Sequence, residues 1–156
     1  MIAFKQVSIA SEMRLLHPRL AHILGWIGDT DVWRRTTGCS FFVITCLFRS
    51  RDQTVKLYEE AGKAPPAVSV HECVKLPMDP WSGCRGADIS ARRPSLTAPY
   101  GQWEFLPDDV LHRFVEEVNS AWRYHEAERY NVALYHSVSG PHVHLQVARL
   151  DETKRR

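Results

Sequence analysis

The chain has 156 residues, 44% of them apolar and 24% charged, with 20 Lys and Arg against 18 Asp and Glu for a formal charge of +2. That length suits a single domain with its own core and no disulfide framework, and the charge is too weakly basic to argue for nucleic acid or an anionic membrane as a partner. No window approaches the roughly 18 to 20 uninterrupted apolar residues of a membrane span, and the N-terminus lacks the basic segment, apolar run and cleavage site of a signal peptide, so any action at a cell wall would need another route of release.

The expected organisation is one monomeric domain over residues 1–150, its first forty residues helical, with a polar tail over 151–156 ending in "KRR". Leu15, Leu16, Leu20, Ile23, Leu24 and Ile27 recur at mixed three and four spacing, which predicts helix broken near Pro18 and Gly28. "SFFVITCLF" is a continuous apolar and β-branched run, the pattern of a central strand covered on both sides and ending at Arg49. Ser50 and Gln53 then form a capping box for a helix to about Ala61, stopped by Gly62. Loops are expected at 62–67, 76–86 and 94–102.

"ADIS", after Gly86, is a short β-like segment. Between Pro107 and His125 the apolar residues Val110, Leu111, Phe114, Val115, Val118, Ala121 and Trp122 repeat at helical spacing, with Asp108 and Asp109 at the positive end of the dipole. "NVALYHS" and "HVHLQVA" predict a closing hairpin. The fold class is α+β, a small and mostly antiparallel sheet flanked by helices.

On the last strand His142, His144 and Gln146 share one face while Val143, Leu145 and Val147 share the other. The apolar face goes to the core, which leaves two imidazoles about 6.5 to 7 Å apart along the strand. One can bind a metal while the other acts on water that the metal holds. His71 in "AVSVHEC" and Asp88 in "CRGADIS" supply further ligand types. Two imidazoles and a carboxylate suit a tetrahedral zinc that keeps a fourth position for water, the requirement of a catalytic site. Such a metal lowers the pKa of its water to about 7, where an imidazole can take the proton.

Together "SVHE", "RGADIS", the upstream "LFRSRDQ" and the C-terminal "GPHVHLQV" resemble the LAS-type zinc peptidases: lysostaphin-type enzymes, D-Ala-D-Ala carboxypeptidases, murein endopeptidases and the zinc domain of hedgehog proteins. The resemblance covers residues 41–149 and implies a hedgehog-like or D-Ala-D-Ala-peptidase-like fold. It implies that His71, Asp88 and His144 bind Zn2+, and that His142 is the general base or the stabiliser of the tetrahedral intermediate. Arg49 would hold a substrate carboxylate or the oxyanion, with His136 and Glu72 behind them. The implied function is that of a metallopeptidase, a hydrolase of peptide bonds in peptidoglycan stem peptides such as a phage endolysin or a cell-wall remodelling enzyme.

This chain departs from the family in two places. His71 and Asp88 stand seventeen positions apart, as though residues within "CVKLPMDPWSGC" had been inserted; a bridge between Cys73 and Cys84 would pin such an insert, with two free thiols as the alternative. Pro141 occupies the position of the carboxypeptidases' glutamate, so the base is a histidine or another acid, Glu72, Glu104 or Asp79. Two other classes stay open: an HUH-type single-stranded DNA endonuclease, with Tyr58, Tyr100, Tyr124 or Tyr130 as nucleophile, and a zinc-binding module without activity. His17, His22, His112 and His125 are read as structural, and Trp81 and Trp103 as packing residues or as walls of a cleft.

Overall fold

The computed structural model describes residues 1–73, 83–95, 101–123, 131–136 and 140–148. In chain order it runs β1 (Ile2–Phe4), α1 (Val7–Glu12), a 3-10 turn (Met13–Leu15), α2 (Pro18–Asp29), α3 (Val32–Thr37), β2 (Phe42–Cys46), α4 (Arg51–Glu60), β3 (Gly86–Ser90), β4 (Arg92–Pro94), β5 (Trp103–Phe105), α5 (Asp108–Ala121), β6 (Ala133–His136) and β7 (His142–Gln146). The main sheet has the order β1-β2-β3-β7-β6, parallel only between β1 and β2. β4 and β5 form a separate two-stranded sheet. The molecule is therefore α+β with a mostly antiparallel five-stranded sheet and five helices among the described residues. No helix of the described residues is long and apolar enough to cross a membrane.

One face of the sheet makes the core. Phe42, Ile44, Ala87, Ile89, Val143 and Leu145 are fully or almost fully buried and join Leu20, Ile23, Leu24 and Ile27 of α2, Trp33 of α3 and Leu111, Phe114 and Val118 of α5 in one cluster. Trp33 meets Phe114 edge-on at 4.9 Å and Phe42 at 5.8 Å, tying α3 to α5 and the sheet. Alternation along β3 and β7 then forces Asp88, Ser90, His142, His144 and Gln146 onto the opposite face. The strands meet in register, Asp88 opposite His144 and Ser90 opposite His142.

The hairpin, α5 and the capping box follow the sequence reading. Ser50 Oγ accepts from Gln53 N–H, and the Gln53 side chain accepts from Ser50 N–H. Four points differ. Pro18 opens α2 instead of breaking it, because a proline at the first helical position has no amide to lose, and His17 Nδ1 caps the turn. Gly28 lies inside α2; the break falls at Asp31, whose φ of 57° is left-handed. β2 stops at Cys46, three residues before Arg49, and is covered unevenly, with Val43 and Thr45 only half-buried. β1 and the β4–β5 pair, three residues per strand, are too short to show a period.

Within the expected loop at 76–86, Cys84 bridges to Leu16 and Gly86 already begins β3. Cys73 and Cys84 are free thiols, one exposed and one buried, so the bridge considered for the base of the insert is not formed. Asp79, Trp81, Tyr100, Tyr124, Tyr130, His125 and the tail at 151–156 lie outside the described residues.

Candidate metal centre

The polar face of β3 and β7 is closed by the segment around His71. Its backbone is held on both sides: Arg49 N–H donates to the His71 carbonyl at 3.0 Å, and Arg85 N–H donates to the Val70 carbonyl at 2.7 Å. Ser69 Oγ accepts from His71 N–H at 3.3 Å, which is the local reason for a serine two positions before the histidine. The imidazole then lies across β3 where Gly86 has no side chain. A Cβ there would stand 2.8 Å from Val70 Cγ2 and 3.2 Å from both Cε1 and Nε2 of His71. Gly86→Ala is thus expected to push the ring off the sheet, lowering metal affinity roughly 10- to 100-fold, the range for residues that orient a ligand. Competition with a chromophoric chelator measures it, and unchanged affinity would show that the ring can be carried by another route.

Asp88 is the hub. Its Oδ1 lies 3.4 Å from His71 Nε2, 2.8 Å from His144 Nδ1 and 3.9 Å from His142 Nε2, while Oδ2 faces Arg49 Nη2 at 3.8 Å. The His71 and His144 rings are 5.1 Å apart. His136, opposite His142 on β6, stacks on it at 5.1 Å with a 22° angle between the rings and lies 5.7 Å from His144. Five predicted residues from four separate stretches, together with His136, therefore converge. Glu72 does not: it is buried beside His71 but turns to Arg51 at the start of α4, 3.3 Å away. Glu104 pairs with Arg93 and Ser95 on the small sheet.

Cys46 is the residue that alternation misses. β2 carries an irregularity between Ile44 and Cys46: Ile44 pairs with Ile89 on the core face, yet Cys46, two residues on, pairs with Asp88 on the other. A bulge of this kind re-aims a side chain. Cys46 Sγ reaches to 3.8 Å from His71 Nδ1 and accepts from Arg49 Nη2 at 3.4 Å. Cys46, His71 and Asp88 each offer a ligand atom within 4.8 Å of the others, so this group could hold a metal ion.

Tautomers decide which atoms face a cation. His71 Nδ1 lies 2.8 Å from the Leu47 carbonyl, which can only accept, so Nδ1 donates and the neutral ring presents its lone pair at Nε2 toward Asp88. His142 Nδ1 likewise faces the Gly140 carbonyl at 2.7 Å, leaving Nε2 for the same side. A lone pair aimed at a carboxylate oxygen needs a proton or a metal ion between them. A proton is favoured there in the absence of metal: burial opposes the charged form of His71, but its contacts with Asp88, Cys46 and Cys84 outweigh that and hold its pKa well above 6.5. Burial would raise Asp88, yet His144 and His71 pull it far below the carboxylate range. Burial, with the neighbouring His144 and His142, lowers His136.

Of the described tyrosines, Tyr135 donates its hydroxyl to Asp108 at 2.7 Å, and burial together with that carboxylate pushes it up to about 12. His22 and His112 sit against Trp122 and Tyr135, away from the cluster. Comparison of the chain with protein-family models, curated proteins and solved structures found no match.

Proposed function

We propose that the chain is a zinc-dependent peptidase that hydrolyses peptide bonds in peptidoglycan stem peptides, with His71, Asp88 and His144 as ligands. The observation that supports this reading is the meeting of two imidazoles and a carboxylate from three distant stretches at one oxygen of Asp88. The donor types suit the ion, and His144 Nδ1, hydrogen-bonded to Asp88 Oδ1 at 2.8 Å, would have to open to a tetrahedral edge when the ion binds. The 3.4 Å between His71 Nε2 and Asp88 Oδ1 is close to the edge, about 3.3 to 3.5 Å, of a tetrahedron with bonds of about 2.0 to 2.2 Å. Cys46 faces Nδ1 of His71, the nitrogen already donating to Leu47, and is therefore read as a neighbour and not a ligand. Zinc, when bound, supplies a Lewis acid that activates water and polarises the scissile carbonyl.

The chain's own residues do the rest. His142 Nε2, held in its tautomer by the Gly140 carbonyl, takes the proton of the attacking water and returns it to the leaving amine. Arg49, one-fifth exposed and already beside Asp88, offers its guanidinium fork to a substrate carboxylate or to the oxyanion. Of the tyrosines that the nuclease alternative would use, Tyr58 lies on α4 and Tyr100, Tyr124 and Tyr130 lie outside the described residues. Zinc-reconstituted protein is expected to release new amines from isolated stem peptides, to stop in EDTA and to resume on added zinc. Protein carrying about one zinc per chain that leaves those peptides intact would be a binding module instead.

The same site sets opposite pH dependences. Metal-free, the raised pKa of His71 stabilises the fold fully below 6.5, and that stability is lost as pH rises through the folded-state value. The depressed pKa of Asp88 contributes above 3.8 and is lost on acidification. Zinc must displace the His71 proton, so its affinity rises about tenfold per pH unit up to that raised pKa. Thermal unfolding above pH 6.5 should therefore fall with pH in EDTA and rise with pH in zinc. Parallel curves would mean that His71 carries no proton that zinc displaces.

A further inference from the structure

His71 is carried by a stretch between α4 and β3 that belongs to no helix or strand over residues 66–72. One side chain grips that stretch at both ends. Arg51 is the first residue of α4, its backbone fixed by the Ser50–Gln53 capping box. Its Nη1 donates to the Pro66 carbonyl at 2.6 Å, to the Ala67 carbonyl at 3.2 Å and to Glu72 Oε1 at 3.3 Å. The ion pair is uneven, since the Glu72 side chain is 9% exposed and that of Arg51 46%. Arg51 can turn to water, whereas Glu72 has no other side-chain partner among the described residues.

Resting on the proposed zinc site, we infer that Arg51 is a positioning residue for the ligand His71 and acts through Glu72, the pair fixing the turn that lays the imidazole against Asp88. Glu72 follows His71 directly, and its N–H donates to the Ser69 carbonyl at 3.1 Å, so ring and carboxylate hang from one tight turn. A buried carboxylate stripped of its cation has to reach water, because an uncompensated charge is costly in the interior. For Glu72 that means rotating the chain at its own position, and His71 moves with it. The N–H groups of Arg49 and Arg85, on the His71 and Val70 carbonyls, hold the backbone behind the ring but give the carboxylate nothing. A planar guanidinium suits the task, since its donors are fixed in one fork that can serve two carbonyls and a carboxylate together.

The test is zinc affinity, by competition with a chromophoric chelator, in the full chain carrying Arg51→Ala, Glu72→Gln or both. Arg51→Ala is expected to bind zinc roughly 10- to 100-fold more weakly, the range for residues that orient a ligand. Glu72→Gln keeps the shape and removes the charge; alone it should stay within about threefold of wild type, and it should restore Arg51→Ala to that level, a coupling that a general loss of stability would not produce. In EDTA, amide exchange over residues 69–72 should quicken in Arg51→Ala while that of β3 and β7 holds, a readout independent of any metal. Wild-type affinity in Arg51→Ala would overturn the inference, as would a double variant that binds zinc no better than Arg51→Ala. Should Arg51→Ala not fold, the double variant decides: affinity near wild type supports the clamp, and a loss beyond about tenfold overturns it. Stem-peptide cleavage by wild type with zinc affinity unaltered in Arg51→Ala would remove the clamp and leave the peptidase; the expected affinity pattern in a protein that cleaves no stem peptide would do the opposite.

Discussion

Replacing Asp88 with alanine is expected to reduce zinc from about one per chain to below a tenth after dialysis against a weak chelator. Asp88 Oδ1 lies within 4 Å of a ring nitrogen of each of His71, His142 and His144. Removing a residue that merely orients a ligand costs 10- to 100-fold in affinity, and removing a ligand that is also the orienting group must exceed that. Stability in EDTA responds less. Breaking a buried ion pair costs about 3 to 5 kcal/mol when a charge is stranded, but His71 can shed its proton once Asp88 is gone, so the metal-free loss should stay below that range. Asp88→Asn keeps an oxygen without the charge and should bind zinc with intermediate affinity. Elemental analysis and unfolding in EDTA separate the two effects; full zinc content in Asp88→Ala would remove the ligand set.

His142→Ala is expected to lower kcat by about 10²- to 10⁴-fold, the usual contribution of a general acid–base group, with zinc content unchanged. His144→Ala should instead lose zinc and activity together. The basis is distance: His142 Nε2 stands at 3.9 Å from the shared oxygen and His144 Nδ1 at 2.8 Å, although both lie on one face of β7. If zinc is lost in His142→Ala and kept in His144→Ala, the two histidines exchange roles and the proposed mechanism fails at its proton-transfer step.

Much of the scaffold was legible because its signals are local. The Ser50–Gln53 box, the period of α5 and the alternation of β7 each need only a few neighbouring residues to be recognised. The approach of His71 to Asp88 across seventeen positions was expected from a resemblance and not from any period. What escaped depends on contacts between distant segments. The bulge that turns Cys46 onto the face of Asp88 exists only in the pairing of β2 with β3; simple alternation would place Cys46 with Ile44 in the core. Glu72 is adjacent to His71 in sequence, but the docking of Arg51 decides where it turns. Gly86 looked like a strand boundary, while its reason is the imidazole lying over it.

Anomalous diffraction at the zinc edge from crystals of the zinc-loaded protein should give one peak bounded by His71 Nε2, Asp88 and His144, at bonds of about 2.0 to 2.2 Å, with no sulfur in contact. A peak bonded to Cys46 Sγ at about 2.3 Å, or located away from Asp88, would contradict that ligand set.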